Sequence, residues 1–359
     1  MNTVKIGNVS EVSEDRWLEA RSAGGSGTQV LDDAHVSSWR ERGFTFVGEF
    51  FPPALLNPLE AAARERFPAA GTTEADQFTN FGGPLHFPSG VRALNDVTLH
   101  PRLLSAVAEL LEVIPANLRL TQSDLWPKYG RGEKLAGALD NSDQRIHVDY
   151  PNHNLAHPTE WSRPEAVELV VYLSDVEVCG GPTAVVPRHG EDDPAYRWPI
   201  VDSPGIADLD YLNDRCAAEA YFAEQRPELS EWRKSLYERE RYTRFKRGDV
   251  LFYRHDTWHR GTPMVPGTLR LVQNIAFRRA ESEWISILHA GWAWSAYRGD
   301  KMLERLIATA NLDQRAVLGF PQPGSPYWTE ATIAAVAARH GVFGMDMAPY
   351  REALGESIG

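Results

Sequence analysis

Between about residues 118 and 280 the chain carries a series of short apolar runs whose side chains alternate with a period of two, the signature of β-strands. The clearest is Thr268–Phe277. Thr268, Arg270, Val272, Asn274 and Ala276 share one face, and Leu269, Leu271, Gln273, Ile275 and Phe277 share the other. Further strands are expected over 118–126, 146–149, 169–173, 183–186 and 250–253. They fall in two blocks separated by the charged stretch 190–244, which carries helical patterns at 217–224 and 229–237. An insertion of that length inside a β domain reads as a lid over a site or a contact between subunits, and both stay open.

The flanks are different in kind. Residues 1–30 end in SAGGSGTQ and show no period, which predicts a flexible arm. A helix start is signalled at Asp33 and a stop at Gly43, followed by a short strand over Phe44–Phe51. Pro52-Pro53 opens a second helix to about Phe67, with Pro58 as a challenge to its continuity. Residues 69–98 read as a long loop, and Pro101 opens a helix with Leu103, Leu104, Val107, Leu110 and Leu111 on one face. Residues 281–359 read as a helical, Trp-rich extension packed back onto the core. The expected division is thus an arm (1–30), a β domain (31–280) with its mostly helical insertion at about 190–244, and a helical extension (281–359).

The formal charge of −12 repels phosphate backbones and anionic membrane surfaces, so nucleic acid and lipid headgroups are poor partners. Cys179 and Cys216 are too few for a disulfide scaffold and form no CxxC pair, which suits a reducing compartment. The opening MNTVKIGNVSEVSEDRW lacks the basic-then-apolar build of a signal peptide, and no apolar stretch approaches the roughly 20 residues that span a bilayer. A cytoplasmic protein is expected; whether it forms a homo-oligomer is left open.

His147-Val148-Asp149 carries the chemistry. On a strand, residues i and i+2 emerge side by side, so an imidazole and a carboxylate share one face. His259 follows 112 residues later, just past the strand at 250–253. Two imidazoles and one carboxylate on one side of a metal leave three positions open, which suits iron(II) oxygenases, although zinc hydrolases can use the same ligand types. The plainer reading is a core histidine hydrogen-bonded to a neighbouring carboxylate. Arg270 lies 11 residues beyond His259. A guanidinium held on a strand near a metal needs an anionic partner, and its planar fork matches a carboxylate. 2-Oxoglutarate would supply one, its keto acid end on the metal and its far carboxylate on Arg270. The alternative is a structural salt bridge on the sheet surface.

With HVD at 147–149, GGPTAVVPRHG at 180–190 and GDVLFYRHDTWHRGTP at 248–263 followed by Arg270, the chain resembles the phytanoyl-CoA dioxygenase family of iron- and 2-oxoglutarate-dependent oxygenases. WRERGFTFVGEFFPPALLNPLEAAA at 39–63 is similar to that family's opening helix, strand and helix, so the likeness spans roughly residues 33–280. It implies a double-stranded β-helix, a cupin-like jelly roll with flanking helices. It implies His147, Asp149 and His259 as iron(II) ligands and Arg270 as anchor of the distal carboxylate. The implied activity is a dioxygenase that uses 2-oxoglutarate and dioxygen, releases succinate and CO2, and hydroxylates a small molecule. Related halogenases replace the carboxylate ligand with a small residue, so Asp149 points to hydroxylation, with desaturation or ring closure open. The family often has a small hydroxyl residue two positions after the distal histidine; here Gly261 stands there and Thr262 follows as the candidate for that role. The family's PGSH turn is Pro187-Arg188-His189 here, and His189 is read as structural. LTQSDLWPKYG is similar to the first core strand of ectoine-hydroxylase-like members, which implies a hydrogen bond from Gln122 to the co-substrate. The plainer reading of Gln122 is an ordinary polar strand residue.

Other features are weaker. His153 and His157 have zinc-helix spacing, but HNLAH lacks the glutamate of a metalloprotease and is flanked by Pro151 and Pro158. Tyr150, Asn152 and His153 are instead expected to line a pocket, and His255 to support the ligands. Trp258, Trp292 and Trp294 read as core or pocket wall. Two rival classes remain: a cupin-like metalloenzyme, hydrolase or isomerase, that does not use 2-oxoglutarate, and a non-catalytic jelly-roll binding protein.

Overall fold

The alternation along the strands sorts their side chains between two cores. The structure, a computed structural model, describes residues 12–26, 29–78, 85–132, 137, 139–153, 156–158, 160–283, 299–317 and 319–356. Its strands are β1 (Trp17–Leu18), β2 (Arg21–Ser22), β3 (Phe44–Gly48), β4 (Leu85–His86), β5 (Leu118–Tyr129) and β6 (Ala166–Tyr172). They continue with β7 (Thr183–Val185), β8 (Arg241–Thr243), β9 (Val250–Arg254), β10 (His259–Gly261) and β11 (Leu269–Arg279). One sheet has the order β2-β3-β9-β6-β11-β5-β4 and the other β1-β8-β7-β10. From β5 onward the chain winds between them: β5, β6, β9 and β11 lie in the large sheet, β7, β8 and β10 in the small one. Pairing within this set is antiparallel. This winding is the double-stranded β-helix of a cupin-like jelly roll.

Val170, Tyr172, Val185, Leu251 and Val272 fill the space between the sheets. Their neighbours Leu169, Val171, Phe252, Leu271 and Ile275 point the other way and pack with apolar residues of helices. Those helices are α1 (Asp33–Arg42), α2 (Pro53–Arg66) and α3 (Pro101–Leu111), close to the expected positions. Asp32 caps α1 by accepting from the His35 amide at 2.9 Å, and Gly43 ends it at φ 86°, a conformation that favours glycine. α2 continues through Pro58.

The insertion carries α4 (Arg215–Gln225) and α5 (Pro227–Arg239) and ends on β8, a strand the charged sequence around it concealed. After β11 come α6 (Met302–Thr309), α7 (Glu330–His340) and α8 (Ala348–Glu356). Their apolar residues cluster with Ala156, and the Tyr327 hydroxyl donates to the His157 carbonyl at 2.6 Å. Residues 284–298, with Trp292 and Trp294, lie outside the described residues. No helix among the described residues is long and apolar enough to cross a membrane.

Three local expectations need correction. Part of the stretch read as an arm is paired: β1 runs beside β8 and β2 beside β3, and Arg16 donates to the carbonyls of Tyr237 and Glu240 at 2.7 and 3.1 Å. Residues 146–149 form no laddered strand, only an isolated bridge between His147 and His259. A one-turn helix, Tyr150–His153, follows at once. It turns Tyr150 into the apolar interior, where its hydroxyl donates to the Ile200 carbonyl, and not into the cavity.

Candidate active site

His147 and His259 face each other across that bridge, each amide donating to the other's carbonyl, at 3.0 and 2.9 Å. Their ring centroids are 4.4 Å apart. The imidazole Nε2 atoms lie 3.6 Å (His147) and 3.3 Å (His259) from the Asp149 carboxylate oxygens. One ligand atom from each residue falls within 4.8 Å of the others, so the three side chains could hold a metal ion. Both Nδ1 atoms are engaged by backbone carbonyls, His147 with Arg145 at 3.1 Å and His259 with Thr257 at 3.0 Å. That pairing places the proton on Nδ1 and turns the Nε2 lone pairs toward Asp149, the outer support typical of metal-binding histidines. Burial, and then the Arg145 charge, hold the His147 imidazole well below its ordinary value, in the neutral form a metal needs. The Tyr253 hydroxyl donates to Asp149 Oδ2 at 2.9 Å, and the Asp149 amide donates to the His255 carbonyl at 3.1 Å.

The triad opens into a cavity of about 140 Å³ between the sheets. At one end stand Arg270 on β11 and Lys128, its cross-strand partner on β5. Arg270 is 8% exposed; its Nη1 donates to the Gly181 carbonyl, its Nε has no partner, and among the described residues it forms no ion pair. Lys128 Nζ donates to the Thr262 carbonyl at 3.0 Å, and burial followed by the Arg270 charge pushes its ammonium well below the ordinary range. A buried guanidinium with a half-buried lysine beside it and no carboxylate between them is costly unless an anion joins them. A dicarboxylate with one end on the triad fits that chemistry, so the residues present suit both an iron(II) ion and 2-oxoglutarate.

The two residues expected at the co-substrate are placed differently from one another. Thr262 does not line the cavity: its hydroxyl donates to the Pro182 carbonyl at 2.6 Å. His259 lies in β10, and three residues along a strand reverse the direction of the side chain. Gly261 does face inward, but a Cβ there would sit 2.5 Å from Gln144 Oε1 and 3.1 Å from Lys128 Nζ. Those two side chains fill the space a hydroxyl residue would need. Gln122 lines the cavity, yet six residues of β5, about 20 Å of strand, separate it from Lys128. Its Nε2 donates to Asp124 Oδ2 at 2.8 Å, and that position sets it apart from a distal carboxylate at Arg270 without bearing on a keto acid end at the triad.

The sequence reading missed Lys128, although strand parity from Gln122 points it inward. It also missed Glu168 on β6, which lines the cavity and whose carboxyl is held well above the ordinary range by burial and then by the Asp149 charge. The insertion contributes Tyr211 to the lining. His157 is buried, its Nδ1 against the Pro158 carbonyl at 3.0 Å and its Nε2 accepting from the Ile200 amide at 3.1 Å. His189 contributes its backbone amide to Asp193, and Trp258 packs in an apolar cluster. The side chains of Asn152 and His153 lie outside what is described.

The phytanoyl-CoA dioxygenase family model matches residues 39–270. No curated protein matches the sequence. Among solved structures the chain is similar to the non-heme alpha ketoglutarate dependent carbocyclase SnoK from nogalamycin biosynthesis (TM-score 0.47, 16% identity, 73% of this chain and 89% of that one). It is also similar to EvdO2 from Micromonospora carbonacea var. aurantiaca complexed with 2-oxoglutarate (0.47, 13%, 72% and 94%). A third is HygX from Streptomyces hygroscopicus with nickel and 2-oxoglutarate bound (0.43, 14%, 69% and 87%).

Proposed function

The chain belongs to the phytanoyl-CoA dioxygenase family of iron- and 2-oxoglutarate-dependent oxygenases, and from that premise we propose that it hydroxylates a small organic substrate at a centre built from His147, Asp149 and His259. In this reading the three side chains hold iron(II), and Arg270, with Lys128 beside it, receives the distal carboxylate of 2-oxoglutarate. The observation that carries it is a buried guanidinium without a carboxylate, facing the same cavity as a convergent His-Asp-His set.

When bound, iron(II) supplies dioxygen chemistry that converts 2-oxoglutarate to succinate and CO2 while the substrate is oxidised. The protein supplies placement. His147 and His259 present their Nε2 atoms to the metal position because their Nδ1 atoms are engaged by backbone carbonyls. Tyr253 keeps the Asp149 carboxylate from rotating. Trp126, Val170 and Val272 exclude water along the cavity wall. Arg270 and Lys128 set the orientation of the co-substrate through charge-assisted hydrogen bonds. The remote end, with Gln122, Glu168 and Asn274, is left for the substrate. A cytoplasmic place and an oxygenase domain spanning 31–280, with 281–359 as its extension, belong to the same reading.

A panel of small metabolites, screened by succinate release with iron(II), 2-oxoglutarate and dioxygen, tests it. The expected product carries one added oxygen atom per succinate formed. A product lighter by two hydrogens, or turnover that ignores 2-oxoglutarate, would exclude hydroxylation.

A further inference from the structure

Resting on the assignment of His147 and His259 as metal ligands, we propose that the helical insertion positions both of them. Glu219, Arg233 and Tyr237 fix the backbone immediately before His147, and Glu240 fixes the residue immediately after His259. The insertion is then a clamp on the metal-bearing segments from outside, in addition to lending Tyr211 to the cavity.

The His147 segment lacks the support a strand normally has, whereas His259 is laddered to β7 on one side. His147 makes only an isolated bridge, to His259, so one side of its segment has no ladder. The insertion occupies that side. The Ile146 amide donates to the Tyr237 hydroxyl at 3.0 Å, and the Ile146 carbonyl accepts from Arg233 Nη2 at 3.1 Å. Both polar groups of the residue before the ligand are thus held by α5. The hold is directional. Tyr237 donates its own proton to Glu219 Oε1 at 2.7 Å, which leaves a hydroxyl lone pair for the Ile146 amide. Arg233, fully buried, is locked by the same carboxylate through Nε at 3.1 Å and Nη2 at 2.8 Å, and lies over the Phe222 ring.

A second arm reaches His259. Arg260 is 1% exposed and grips Glu240 through Nε at 2.5 Å and Nη2 at 3.1 Å, while its Nη1 donates to Asp143. Asp143 is held in turn by the Arg215 amide at 2.9 Å, and the Arg145 amide donates to the Asn213 carbonyl at 2.7 Å. Apart from Asp143, every one of these supports comes from residues 213–240. Buried ion pairs of this kind contribute little net stability relative to apolar packing, and their best-attested use is to fix register. Here the register they fix is that of two imidazoles.

The test compares anaerobic cobalt(II) binding, read by its visible spectrum, with thermal unfolding of the metal-free protein. The proteins are the wild type, Tyr237→Phe, Glu219→Gln and Leu103→Ala; Leu103 is buried on α3 in the core outside the sheets, in none of the contacts of the clamp. Tyr237→Phe and Glu219→Gln are expected to weaken cobalt(II) binding about tenfold or more and alter the ligand-field bands, the scale typical of outer-shell partners. Leu103→Ala is expected to lower the unfolding temperature at least as far and leave the metal affinity unchanged. Wild-type affinity in the first two variants, or an equal loss in Leu103→Ala, overturns the clamp. Failure of the wild type to bind cobalt(II) removes instead the ligand assignment on which it rests.

Discussion

The strand that bears Arg270 and the segment that bears His147 and Asp149 are held by opposite means. β11 has 11 residues, laddered to β5 along its whole length and to β6 from Val272 to Arg278. Arg270 is therefore placed by backbone hydrogen bonds that any sequence of the right alternation would form. Residues 143–149 have two isolated bridges, one from His147 to His259 of the small sheet and one from Gln144 to Asp214 of the insertion. Beyond the His147–His259 bridge, their position depends on the insertion, through backbone bonds to Asn213 and Arg215 and the side chains of Tyr237, Arg233, Asn213 and, through Arg260, Glu240. The co-substrate end of the cavity is thus set by the sheet, and the metal end by a buried polar network. The first should tolerate distant substitution; the second should not.

Substitutions can pull the two ends apart. His147→Ala and Asp149→Ala should each weaken metal binding by more than about 100-fold, beyond the range usual for outer-shell changes, in a metal titration of the purified protein. Next in size, Arg270→Ala should raise the 2-oxoglutarate Kd by at least about 30-fold, since losing one partner of a buried charge pair costs about 2–5 kcal/mol. Metal affinity should stay as in the wild type, and Arg270→Lys should recover only part of the loss because an ammonium lacks the planar fork. If Arg270→Ala weakened the metal as strongly as His147→Ala, the two ends would not be separate.

A smaller effect is expected on the outer face of β11. Gln273 is fully buried, and its Nε2 donates to Thr98 Oγ1 and Ser123 Oγ at 2.9 and 3.0 Å. Gln273→Leu should cost about 1–3 kcal/mol in denaturant unfolding and leave 2-oxoglutarate binding untouched. Smallest at neutral pH is the contribution of His157, which ties the chain after Asp149 to Ile200 of the insertion. Burial pushes its imidazole down to about 3, so the folded state binds its proton less readily than the unfolded state. Its contribution is complete above the unfolded value of about 6.5 and is lost as pH falls toward 3, at up to about 1.4 kcal/mol per pH unit. His157→Gln should flatten the decline of Tm over that window; an unchanged slope would mean that another group titrates there.

The same contrast decides what could be read from the sequence. β11 was legible because a laddered strand imposes its period on side-chain chemistry: Leu271, Ile275 and Phe277 pack outward while Arg270 and Asn274 face the cavity. His147, Asp149 and His259 were legible as a spacing, but the strand expected at 146–149 is absent, because its polar partners are side chains 60 or more residues away. Thr262 failed because β10 already ends at Gly261 and parity turns the next residue outward. Gln122 has the inward parity and lines the cavity, along β5 from the Arg270 end. Lys128 shares that parity and pairs with Arg270, which the sequence hides until the register of β5 on β11 is known. β8 and the pairing of Trp17–Leu18 were invisible for a related reason: three-residue and two-residue strands carry too little alternation to stand out from charged surroundings.

The most direct test of the whole account is the visible spectrum of the protein given iron(II) and then 2-oxoglutarate without oxygen. The wild type should develop the broad charge-transfer absorption of a keto acid chelated to ferrous iron; His147→Ala should show none, and Arg270→Ala should need far more 2-oxoglutarate to reach it. A colourless wild-type sample at saturating co-substrate would contradict the account.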